Sequence, residues 1–232
     1  AEAVGRWLAA SSTLVIVATA RRALGVIAER VVAVPPLSLD GGAESEAAQL
    51  LLARVPTHNR GAAKAAPDRI IAIIATLEGL PLAIELAAAR LGDVDTEGLL
   101  QELAPNAQVS SLDAQPFVAL STAMRVAWSQ LQPWQLDALV QLSVMRGGVD
   151  AESAAAILEL SAYPDTPEPA ALLVELRDRS LLRSLPTPEG ATPRLGMHDS
   201  VRAWLEGAGQ PQRATDLLTA ALSRRGRWAL RL

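Results

Sequence analysis

Residues 77–91 read LEGLPLAIELAAARL, and the rest of the chain takes its meaning from how this stretch is read. Leu80, Ile84, Ala87, Ala88 and Leu91 recur at helical spacing and line one apolar face. Gly79 and Pro81 stand at its head, and both residue types break helices when placed inside them. At the first helical position a proline does no harm, because the N–H it lacks has no intrahelical partner there. The stretch is therefore a helix start. The same start also offers a surface, since a rigid apolar ring at a helix N-terminus can support a flat ligand and the helix end favours nearby anionic groups. The two readings are compatible.

Outward from this helix, the 232 residues are enough to bury a core and to hold two small domains. Half are hydrophobic, which excludes wholesale disorder. Aromatics make up only 3%, and alanine and leucine dominate, so packing by small and aliphatic side chains on helices is expected. A net charge of −4 speaks against a dedicated nucleic-acid binder. Without cysteine there is no disulfide, thiolate catalyst or cysteine zinc site. His58 and His198 are far apart in sequence and form no His-pair metal motif. No apolar run reaches the length of a membrane span, and Glu2 and Arg6 interrupt any early signal-like stretch. The expected location is the cytoplasm.

The pattern along the chain is mostly α with a little β. Residues 1–10 read as a short helix. TLVIVATA (13–20) is a continuous, largely β-branched apolar run expected to be a buried strand, and RVVAVPPLSL (30–39) a second strand stopped by Pro35 and Pro36. Two strands are too few for a stable sheet, so their partners are expected elsewhere. From residue 43 the pattern turns helical: 43–55, a loop at 56–67, a helix opened by Pro67, the GLPL helix, and a short helix capped by Asp95. Residues 105–115 are the best linker. Helices at 116–131 and 133–145 follow, then one capped by Asp150, one after the proline-rich loop 163–169, a strand–turn–strand over 181–198, and helices from 199 and over 210–225. Helices, a hairpin and a closing helix make a winged-helix domain.

Three motifs in order resemble the NB-ARC group of STAND signalling ATPases. TLVIVATARRALG is similar to the family's sensor strand, with Arg21 at the arginine position; EGLPLAIELAAARL is close to its GLPL helix; and Met197-His198-Asp199 in GMHDSVRAW resembles its MHD motif. Residues 126–157 and 172–182 resemble its winged-helix segments, so the likeness runs to about residue 209. It implies an end of a P-loop α/β domain over 1–42, a helical domain over 43–112, a winged-helix domain over 113–208, and the start of a further helical segment over 209–232. The departures are equally specific. The sole lysine, Lys64, lies in RGAAKAAPD, so there is no P-loop, and TLVIVATA ends in no acidic residue to organise magnesium. Ala20 and Arg22 replace the serine and glutamate of the usual sensor motif. The resemblance implies a fragment, natural or engineered, of a longer protein.

What the resemblance implies for function is an ADP/ATP-dependent switch in signalling or transcriptional regulation. Pro81 would lie against the adenine, Arg21 would approach the terminal phosphate, and His198 would hydrogen-bond a phosphate of ADP and hold the winged helix closed. An arginine fork and a histidine donor suit phosphate oxygens. Hydrolysis by this chain alone is not expected, Mg belonging to a full-length parent. The implied partners are a P-loop half, in cis or in trans, and further copies of the full-length parent. Two alternatives are a winged-helix DNA-binding regulator and a nucleotide-free helical interaction module. Between residues 133 and 208 six arginines face eleven acids, a balance that repels a phosphate backbone.

Overall fold

The computed structural model describes residues 2–20, 23–27, 29–104, 115–187, 191–206 and 214–230. The protein is mostly helical, with twelve α-helices and one two-stranded antiparallel sheet among the described residues. It divides into two compact units, residues 1–35 and 36–232.

In the first unit, α1 (Glu2–Ala10) is followed by irregular chain. The expected strands at 13–20 and 30–39 are not formed: no ladder involves them, and Val17 and Val34 are 91% and 90% exposed. The physical reason is the one that made two strands insufficient. A β-branched run has strand propensity, but a strand exists only when a neighbour accepts its N–H and C=O groups. The backbone N–H groups of Leu24 and Gly25 instead donate to the Glu29 carboxylate, each at 2.8 Å, and these two bonds hold that carboxyl below its ordinary pKa.

The second unit carries the main core. After a short 3-10 turn at Gly42–Glu44, α2 (Glu46–Arg54) starts on Ser45, whose hydroxyl accepts from Ala48 N–H. Residues 56–67, expected as a loop, contain helix α3 (Thr57–Lys64). Its composition is polar and only Ala63 is buried, so apolar periodicity gave no sign of it. The proline-opened α4 (Pro67–Thr76) and α5 (Pro81–Arg90), and α6 (Thr96–Leu103) with the Asp95 carboxylate accepting from Gly98 N–H, are as the pattern predicts. Helix α5 is central. Ala83, Ile84, Leu86, Ala87 and Ala88 are all buried, on more than one face, and α5 packs against α2 and against α7 (Gln115–Ser129). Alanines on a helix let neighbours approach closely, which is why a helix of modest side chains can sit in the middle. The expected linker at 105–115 lies, but for its last residue, outside the described residues.

The remainder comprises α8 (Pro133–Leu142), α9 (Ala151–Ile157), α10 (Pro169–Asp178), strands β1 (Leu182–Ser184) and β2 (Leu195–Met197), α11 (Asp199–Glu206) and α12 (Ala214–Ala229). Asp150 caps α9 in a reciprocal box with Ser153. The strands pair antiparallel, Leu182 opposite Met197. Residues 188–190, at the expected tip, lie outside the described residues. Helix α12 packs on α8 and α9, where Arg224 donates to the carbonyl of Ile157 and Arg225 to that of Val144. Cations at those two carbonyl ends complement the local helix dipoles. Trp128 of α7 and Trp204 of α11 meet edge-on with centroids 6.4 Å apart and, partly buried, pack against the core.

Candidate functional site

The quoted stretch is two devices back to back. Leu77, Glu78 and Gly79 end α4: Glu78 takes a left-handed conformation (φ 53°) and Gly79 N–H reaches back to the Ile74 carbonyl. Gly79 is itself left-handed (φ 66°), and its carbonyl accepts from Leu37 N–H at 2.9 Å. A Cβ on Gly79 would lie 2.3 Å from the Leu37 carbonyl oxygen, so only glycine lets the 36–38 segment cross here. Leu80 then precedes α5, and Pro81 stands exposed at its first position. Among the described residues the first-turn N–H groups of Leu82 and Ala83 have no acceptor.

His198 sits between β2 and α11. Its carbonyl accepts the first helical bond, from Arg202 N–H at 3.0 Å, so it occupies the N-cap position, with Asp199 one residue inside the helix. Its ring is half-buried. Burial pushes the imidazole pKa below its ordinary value, the Arg183 cation adds to this, and Glu85 and Asp199 oppose it. Neutral imidazole is thus the resting form near pH 7.

Glu85 lies one turn beyond Pro81 on α5 and acts electrostatically on His198. A second link runs beside it. Ser180, left-handed at φ 59° where α10 ends, donates its hydroxyl to the Glu85 carbonyl at 3.2 Å. The Arg54 guanidinium pairs with the Glu85 carboxylate at 3.0 Å. Pro81 and His198 both belong to the second unit; Glu85 and Arg183 act electrostatically on His198, and Glu85 is in turn bonded by Ser180 and Arg54. Arg21 lies outside the described residues. Glu85 and Arg54 escaped the sequence reading because their meeting depends on α2 packing against α5, which no short motif encodes.

Among the described residues no group of three or more histidines and acids is placed to hold a metal ion. None of the described helices is long and apolar enough to cross a membrane. At the end of α10, Arg177 pairs with Asp178 at 2.8 Å, and Arg179, just beyond it, lies 3.7 Å from Glu175. No known protein family and no curated protein matches the chain in sequence.

Proposed function

We propose that this chain forms the helical and winged-helix part of an NB-ARC-type nucleotide switch, one in which ADP or ATP sits against the face bearing Pro81 and His198. The observation that supports this most is the electrostatic effect on His198 of Glu85, which lies one turn beyond Pro81 on α5. In this reading the Pro81 ring carries the adenine, the free N–H groups at the head of α5 and the neutral His198 imidazole donate to phosphate, and Arg21 reports the terminal phosphate. The winged helix, built from α7 to α11 with the β1–β2 hairpin, closes on ADP and releases on ATP. A shift from mostly closed to mostly open takes about 5.5 kcal/mol of differential binding, more than one histidine and one arginine contact supply. The phosphates therefore need further donors from a P-loop, in the same polypeptide or another, and that P-loop also brings the magnesium. Together with that P-loop the chain binds nucleotide and switches; alone it does not hydrolyse.

The DNA-binding alternative finds little support. Arg177 and Arg179 stand beside acids, and Arg224 and Arg225 each donate to a carbonyl oxygen of the chain. The test of the proposal is cross-linking of 8-azido-ADP to the chain in the presence of an NB-ARC P-loop half. Labelled peptides containing residues 77–91 and 195–204, competed by ADP and lost in His198→Ala, are the expected result. Labelling indifferent to His198, or confined to other helices, overturns it.

A further inference from the structure

A separate cavity of about 560 Å³ opens between α2, α3 and α4, in the size range of small-ligand sites. Arg60 and Lys64 both line it. They are four residues apart on α3, one helical turn, and so present their cations on the same side. Arg60 is held in place: its Nη2 donates to the carbonyls of Ala53 and Val55, both at 3.1 Å, where α2 ends. Its Nε is buried with no partner. A buried guanidinium N–H without an acceptor is uncommon, because the unpaired donor costs its full desolvation. Lys64, the one lysine of the chain, makes no ion pair among the described residues. Leu52, Pro67 and Ile70 supply an apolar wall.

We propose that this cavity binds a small organic monocarboxylate, its head between Arg60 and Lys64 and its aliphatic body on Leu52, Pro67 and Ile70. The charge count selects the ligand class. Glu44 also lines the cavity, so two cations face one acid and the site carries one net positive charge. One carboxylate neutralises it. A phosphate dianion leaves a negative excess beside Glu44. The Arg60 guanidinium is a fixed positive charge for the head group, since a side chain already held by two carbonyls loses little freedom on pairing. This site is independent of the nucleotide reading.

The probe is sodium octanoate, with octanamide as its uncharged counterpart, titrated into protein labelled with carbon-13 at the isoleucine δ1 methyls. The expected result is a saturable shift of the Ile70 methyl with octanoate and a much weaker one with octanamide. Lys64→Gln should weaken octanoate roughly ten-fold, the size of one charge-assisted hydrogen bond, and leave octanamide unchanged. Glu44→Gln should tighten octanoate, because it removes the one repelling charge. Both variants replace exposed side chains and keep the fold, which far-UV circular dichroism checks. Equal binding of octanoate and octanamide, an Ile70 methyl indifferent to both, or a Glu44→Gln variant that weakens octanoate would each overturn the proposal.

Discussion

Replacing Gly79 by alanine isolates the joint on which the α5 head is built. In the left-handed region an L-residue costs about 1–2 kcal/mol more than glycine. The new Cβ also falls 2.3 Å from the Leu37 carbonyl oxygen and 3.3 Å from the Leu37 nitrogen, so the 36–38 backbone has to withdraw. Withdrawal breaks the 2.9 Å bond from Leu37 N–H to the Gly79 carbonyl, a further loss of about 1–2 kcal/mol at a buried residue. The sum is about 3 kcal/mol. With a urea slope of about 2 kcal/mol/M, the midpoint followed by circular dichroism at 222 nm falls by about 1.5 M. Gly147→Ala is the internal standard. That glycine is exposed, is not left-handed, and has no atom within 4 Å of an added Cβ, so its change stays within about 0.5 kcal/mol. A Gly79→Ala midpoint as close to wild type as that of Gly147→Ala would refute the argument from φ and crowding.

Gly61→Ala lies on the exposed side of α3 with open space around the new methyl, and should stabilise by about 0.5–1 kcal/mol in the same urea assay. Burial alone would raise the Asp150 pKa, but the Ser153 N–H and hydroxyl and nearby Arg194 outweigh it and hold the carboxyl below its ordinary value. That contribution is present above about pH 4 and lost as pH falls through the lower folded value, so Asp150→Ala should cost about 1 kcal/mol at neutral pH and progressively less in acid. The His198 pKa is lowered, so stability is lost as pH falls through the ordinary imidazole value of about 6.5, and His198→Gln should flatten urea stability between about pH 7 and pH 5. Arg202 is buried with its Nε and Nη1 unpartnered and Arg146 adding repulsion, so Arg202→Met should raise the midpoint by an amount equivalent to about 1 kcal/mol or more.

The helices with strong local signals were legible. Pro67 and Pro81 opened helices, Asp95 and Asp150 capped them, and the spacing of apolar residues found the core face of α5. Helix α3 was not legible, because His58, Asn59 and Gly61 neither favour a helix nor mark an apolar face, and it is held by its ends and by α4. The apolar runs at 13–20 and 30–39 showed strand character correctly as propensity and wrongly as structure, since propensity does not supply a partner strand. At the candidate site, Pro81 and His198 came from motifs. The bonds of Ser180 and Arg54 to Glu85 are tertiary, and so is the Arg60–Lys64 cavity, which stayed hidden while residues 56–67 read as a loop.

The proposed nucleotide site rests on Pro81 and His198. Calorimetric titration of ADP into this chain, alone and mixed with a separately produced NB-ARC P-loop half, tests it most directly. The account predicts heat of binding only in the mixture, weakened roughly ten-fold by His198→Ala, the worth of one hydrogen bond to a charged group. Micromolar binding by the chain alone, or no binding although both halves are folded and associated, would contradict it.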